Sequence, residues 1–123
     1  MAVMQSRDNR TFIAGEDLST AQFKFVTLES GGAVDLADSA GENALGVCLA
    51  GATAGKAVTV CVSGSVMVEA GGTIAAGVQV QTDANGKAAL AATGDIVLGY
   101  TREAGVAGQI IEIEMIQGGN VAA

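Results

Sequence analysis

From residue 23 onward the chain is written in short runs of alternating apolar and polar residues, cut by glycine-rich breaks. The clearest run is 57–63 (AVTVCVS). Val58, Val60 and Val62 point one way along an extended chain, and Thr59, Cys61 and Ser63 the other. Alternation with a period of two is the mark of a strand with two unlike faces. Further strands are expected at 22–28, 44–50, 65–69, 78–82, 87–90, 95–101 and 109–117, with a bend or bulge at Gly64 between 57–63 and 65–69. No segment holds helical periodicity over a helix-length window, although 72–77 has room for one short helical turn. The breaks carry turn chemistry. Asp83-Ala84-Asn85-Gly86 contains Asn-Gly, which predicts a type I′ hairpin with positive φ at both residues. Gly31-Gly32, Gly71-Gly72 and Gly118-Gly119 mark other breaks. A glycine-rich break followed by a Val-alternating strand recurs, yet no exact internal repeat is visible.

Composition sets the core. Ala and Gly make up one third of the 123 residues, and Leu, Ile, Val and Phe about a quarter. That supports one domain with a thin, Val-rich core. The chain has no His, Trp or Pro, one Tyr, three Phe and a net charge of −7. The commonest general base and metal ligand is therefore missing. Base-stacking platforms are scarce, and phosphate backbones and anionic lipid are repelled. The apolar runs fall short of a membrane helix. Met1 to Arg10 is polar and reads as having no secretory leader. No nucleic-acid or membrane partner is expected.

The chemistry-bearing motifs fail on inspection. Gly51-Ala52-Thr53-Ala54-Gly55-Lys56-Ala57 has the wrong spacing for a phosphate-binding loop, and Ala57 replaces the hydroxyl that would hold magnesium. Asp83, Asn85 and Gly86 lack the remaining ligands of a calcium loop and read as a turn. Glu112 and Glu114 share a strand face, explained as a solvated face. Asp35, Asp38 and Glu42 read as solubilising charges in a small-residue loop. A hairpin centred between Ala54 and Gly55 would put Cys48 opposite Cys61. The expected state is two small buried thiols, with a cross-strand disulfide as the alternative. No catalytic residue, cofactor or metal site is assigned.

Residues 1–22 differ from the rest. They carry charge, amide and hydroxyl groups with little periodicity, and read as an extended or loosely ordered arm. Arg7 and Arg10 in such an arm suit docking on an acidic partner, with Phe12 and Ile13 as apolar anchors. These four are the candidate partner-contact residues. The division expected is an arm at 1–22, a β-domain at 23–117 and a C-terminal tail at 118–123.

The string from Asn43 to Ala88 resembles the capsid cement, or head decoration, proteins of tailed bacteriophages. The likeness is carried by Leu45-Gly46-Val47 leading through a small-residue loop with Gly55 to Val58-Thr59-Val60. It continues through Ser63-Gly64 and a Val-rich strand to Ile74-Ala75-Ala76-Gly77 and the Asp83 to Lys87 turn. Ile96 to Tyr100 and the closing Ile111-Glu112-Ile113 also fit, so that the likeness spans 7–117. It implies a small β-domain that binds the outside of the expanded head as a homotrimer at threefold and quasi-threefold positions. There it would bridge major capsid protein subunits, with no enzyme activity. It also implies a place on the outer surface of the virion after synthesis in the host cytoplasm.

The fold expected is thus all-β, a small barrel- or sandwich-like domain with Gly-rich turns and an extended N-terminal arm. An acidic body keeps such a protein soluble before assembly. The rival readings are a surface adhesin-like β module, which lacks a stalk repeat, and a carrier-type β-domain. For the latter Lys87 follows the hairpin but lacks the context of a modified lysine.

Overall fold

A computed structural model of the chain describes residues 6–116 and 121–122; the side chains of residues 6 and 7, and the Gly118-Gly119 break, lie outside the described residues. Nine strands run in chain order: β1 (Ser6–Ile13), β2 (Phe25–Leu28), β3 (Val34–Leu36), β4 (Gly46–Ala50), β5 (Ala57–Glu69), β6 (Gln79–Thr82), β7 (Ala88–Leu90), β8 (Gly99–Thr101) and β9 (Ile110–Met115). They join in one antiparallel sheet of order β3-β2-β4-β5-β9-β8-β6-β7, with β1 also paired to β5. The sheet curls into a half-barrel, an all-strand fold as expected. The 72–77 segment forms a turn and a bridge at Ile74, with no helical turn.

The backbone pattern reveals a duplication. The N-half (6–64) holds β1 to β4 and the first part of β5; the C-half (65–116) holds the rest of β5 and β6 to β9. In the N-half, β1 pairs β5, β2 pairs β3 and β4, and β4 pairs β5. In the C-half, β5 pairs β9, β6 pairs β7 and β8, and β8 pairs β9. The registers superpose: Val26↔Leu36 and Val26↔Gly46 become Val80↔Leu90 and Val80↔Gly99. The parallel bridge Ala14↔Val34 becomes Ala70↔Ala88. Turn hydrogen bonds match as well. The Gly55 N–H donates to the Ala14 carbonyl and the Gly108 N–H to that of Ala70, each at 2.8 Å.

Special backbone positions match too. Gly32, Gly41 and Gly55 have φ of 88°, 80° and 83°, and their counterparts Gly86, Gly94 and Gly108 have 77°, 88° and 88°. Phe23 (φ 63°) stands where the C-half has Gly77 (φ 74°). Gly46 and Gly99 are packed alike. A Cβ would meet the Cys61 carbonyl oxygen at 2.1 Å in one and the Glu114 carbonyl oxygen at 2.5 Å in the other.

Two apolar clusters fill the fold. One lies within the N-half and includes Leu18, Val26, Val34, Cys48, Val58 and Val60. The other joins Phe25, Val47 and Cys61 of the N-half to the C-half side chains Val80, Ile111 and Ile113. The face of the N-half opposite its own cluster is thus buried by the C-half. Both faces of β5 are covered at 58–61, because Val58 and Val60 enter one cluster and Cys61 the other.

That arrangement decides the thiols. A register shift between Cys48 and Ala50 pairs Cys48 with Val60 and Val47 with Cys61. One extra residue turns a side chain to the other face. Cys48 and Cys61 are therefore not opposite each other. They are free, buried and in different clusters.

The Asp83 turn differs from the expected type I′ form. Only Gly86 has positive φ. The Gly86 N–H donates to the Asp83 carbonyl at 3.3 Å, and the Asp83 N–H to that of Lys87 at 2.8 Å. This is a type I turn closed by a left-handed glycine. Asp83 Oδ1 fixes it by accepting the N–H groups of Asn85 and Lys87 at 2.8 and 2.9 Å.

Candidate functional site

The segment expected as an arm contributes a strand to the sheet. β1 lies along β5 with Arg10↔Val60, Thr11↔Thr59, Phe12↔Val58 and Ile13↔Ala57 as partners. Beyond it, Ala14, Leu18 and Ala21 are buried in the N-half cluster. Polar residues suit this strand because its only described pairing along 6–13 is with β5, and charged side chains are tolerated on such an edge.

The four candidate contact residues separate there. Phe12 is half-buried and packs on the N-half cluster beside Val58, so the domain itself gives its ring a home. Ile13 is 49% exposed at the end of the strand. Arg10 is exposed and forked onto Asp8, with Nη2 at 2.9 Å and Nε at 3.0 Å from Oδ2. The hydrogen bond and then the charge of Asp8 raise the Arg10 pKa. Arg10 therefore offers a partner a charge already shared with a neighbour. The Arg7 backbone belongs to β1, and its side chain lies outside the described residues.

Surface features that the sequence reading passed over lie elsewhere. Leu28, Leu90 and Tyr100 are 52%, 61% and 42% exposed. Leu28 lines an open cleft of about 420 Å³ with Thr27, Glu29, Glu42, Asn43 and Leu45. Tyr100 stands on β8 opposite Gln79 and Glu114. The alternation at 78–82 held the signal for a polar face bearing Gln79, and pairing with β8 brings Tyr100 beside it.

The paired carboxylates of β9 are unlike each other. Glu114 is exposed, whereas Glu112 is buried and has no place on a solvated face. Arg102 Nη1 lies 3.5 Å from Glu112 Oε2 and from Glu114 Oε1. Glu103 accepts the Glu112 N–H at 3.2 Å. This is an ion-paired structural cluster. Among the described residues no group of three or more Cys, Asp or Glu side chains is placed to hold a metal. Burial raises the pKa of both thiols, foremost through loss of water around the charged form. What the described surface offers is a set of strand edges, exposed apolar side chains and an open cleft, the equipment of a contact module.

Comparison with known proteins bears on which contacts these are. No curated protein matches the chain. Among solved structures, it is similar to the N base of the head fiber gp8.5 of bacteriophage phi29, with a TM-score of 0.72 and 18% identity. The match covers 89% of this chain and 93% of that one, and at this identity it establishes a shared fold. The family model described as phage cement protein matches residues 4–115. That span takes in all nine strands, so the chain belongs to the phage cement protein family and is a capsid-associated structural protein of a phage.

Proposed function

We propose that this protein clamps the outside of an expanded phage head. It sits as a homotrimer at threefold and quasi-threefold positions and bridges neighbouring major capsid protein subunits. The match to the cement family over residues 4–115 carries the reading. The mechanism is multivalent. Each contact is modest, and symmetry repeats it, so that a trimer holds several subunits at high effective concentration. The protein is made in the host cytoplasm and ends on the virion's outer surface. Its acidic body keeps it soluble beforehand. Its role is mechanical and needs no catalytic group.

Within that reading, residues 1–22 remain the segment proposed to engage the capsid, now carried on the sheet through β1 ahead of 23–117, with 118–123 as a tail. The fold changes how this is tested. Removing 1–13 would strip β1 from β5 and uncover the N-half cluster, so the loss of binding would be confounded with unfolding. Arg10→Ala and Ile13→Ala remove exposed side chains of the strand and leave its backbone pairing, and Arg7→Ala tests the remaining candidate. Phe12 contributes by holding the strand in place. The direct experiment heats expanded, undecorated heads with and without added protein and follows release of DNA. A higher release temperature with the protein supports clamping, and an unchanged temperature at saturating protein contradicts it.

A further inference from the structure

The duplication leaves two surfaces without a counterpart inside the chain, and we propose that they meet between copies. The N-half of one molecule docks on the C-half of the next, repeating the contact that joins the halves within each molecule. The proposal deepens the trimeric reading and rests on it for stoichiometry alone; the contact itself follows from the fold.

Within the chain, the halves meet through backbone hydrogen bonds. The Phe25 N–H donates to the Gly86 carbonyl at 2.7 Å and the Glu69 N–H to that of Phe23 at 2.8 Å. Gly41 sits between two C-half groups. Its N–H donates to the Thr82 carbonyl at 3.0 Å, and its carbonyl accepts the Ile96 N–H at 3.1 Å. Leu36 lies over Gly86, where a Cβ would come within 2.6 Å of Leu36 Cδ1.

Advancing each partner by one half gives the contact between copies. Gln79 then faces Gly32 of the next molecule, and Gly77 faces Ile13. Gly94 enters the cleft between Leu28 and Asn43, and Leu90 lies over Gly32. The surfaces answer this list. Thr82, covered by the Gly41 loop, is 0% exposed, whereas its counterpart Leu28 is 52% exposed beside an open cleft. Gly86 is crowded by Leu36, whereas Gly32 has nothing within 4 Å of a Cβ. Leu36 is half-buried, and its counterpart Leu90 is 61% exposed, the most exposed of the large apolar side chains described. Ile13, Leu28, Leu90 and Tyr100 all fall on the two open surfaces.

The chemistry of the open C-half face fits a contact made after folding. Phe25, Val47 and Cys61 are each 0% exposed, and their counterparts are Gln79, Tyr100 and Glu114. A face that must live in water before assembly carries polar groups around an aromatic anchor. The slot at Gly94 is held meanwhile by Ala122 of the same chain. The Gly94 N–H donates to the Ala122 carbonyl at 3.0 Å, as the Gly41 N–H does to Thr82. Docking of Leu28 from another copy displaces Ala122 from that place. Such a head-to-tail contact is heterologous, closing into a ring or running on as a filament. Three copies in a ring would present both halves alternately around the axis.

The test uses full-length Asn43→Cys and Thr93→Cys proteins, treated with a short bis-maleimide both in concentrated solution and on expanded, undecorated heads. Cys48 and Cys61 are buried and do not compete. Cross-linked dimers in the mixture of the two variants, and in neither alone, are expected in at least one setting. Cross-linking of either variant alone, or of none in both settings, overturns the proposal. Leu28→Arg and Leu90→Arg, both at exposed sites, are each expected to lower the cross-linked yield by at least about tenfold with an unchanged urea midpoint. Full yield from both overturns it. Head binding is read separately by co-sedimentation, so that loss of the capsid reading is distinguishable from loss of this one.

Discussion

Replacing Phe25 by alanine and replacing Gln79 by alanine perturb the same position of the two halves, and the fold assigns them very different costs. Phe25 is 0% exposed, in the cluster that joins the N-half to the C-half. Gln79 begins β6 half-exposed, and its main chain alone holds β8 and the Ala91 N–H. Truncating a buried phenylalanine removes its transfer free energy and leaves a cavity, together about 3–5 kcal/mol. Substitution at a surface site away from such features stays within about 0.5 kcal/mol. A domain of this size holds roughly 5–15 kcal/mol in all, so Phe25→Ala takes a large share. With a urea slope of about 1.5 kcal/mol per molar, its midpoint falls by about 2–3 M, whereas that of Gln79→Ala moves by under about 0.4 M. Equilibrium urea unfolding of the isolated protein, followed by far-UV circular dichroism, reads both. Equal shifts for the two variants would refute the claim that one half covers the other. So would a Phe25→Ala protein with an unmoved midpoint.

Other consequences are checked the same way. Thr101 is 3% exposed, and its Oγ1 donates to the Ala75 carbonyl at 2.7 Å and accepts the Val78 N–H at 3.1 Å. Thr101→Val strands both backbone groups and should cost about 1–3 kcal/mol in urea unfolding. Asp83→Ala removes the acceptor of two turn N–H groups and should cost about 0.5–2 kcal/mol, with Asp83→Asn recovering part of it. Burial raises both thiol pKa values, so the unfolded chain loses its thiol protons first as pH rises. The stability these groups contribute is complete below the free-thiol range of about 8.5 and declines above it. A Cys48→Ala/Cys61→Ala protein should show a flatter fall in urea midpoint above that pH; an identical fall would exclude the thiols as its source. Native protein should react with a maleimide far more slowly than urea-unfolded protein, at two thiols per chain once unfolded.

The alternating strands were legible from sequence, because Val and Ile recur there at every second residue, so β5, β6 and β9 stand close to where the pattern put them. The wet face that alternation implies was filled in instead, with Cys61, Gln81 and Glu112 all buried. β3 was not legible, since Val34–Leu36 is three residues long with Asp35 at its centre. β1 escaped for a related reason. SRDNRTFI shows no apolar face of its own, and its order comes from hydrogen bonds to β5. The opposition of Cys48 and Cys61 failed on a single bulged residue, which no periodicity argument senses. The type I′ turn failed because Asp83 supplies an acceptor that stabilises a different turn around the same glycine.

The duplication was hidden because equivalent side chains had diverged with their surroundings, as at Phe25 and Gln79 or Cys61 and Glu114. What persists is what the backbone requires. Ala-Gly at 14–15 and 70–71, Leu-Gly at 45–46 and 98–99, and Ala-Gly at 54–55 and 107–108 recur in the same order. Those three dipeptides were the available signal. Of the candidate contact residues, Ile13 presents its side chain to solvent, and Phe12 turned inward, a distinction set by the register on β5.

The central claim is attachment to the matured head, and co-sedimentation with undecorated heads tests it most directly, comparing expanded shells with unexpanded precursors. Saturable binding to expanded shells alone, at three chains per local threefold, is the result predicted. Absence of binding to expanded shells, or equal binding to both forms, would contradict the account.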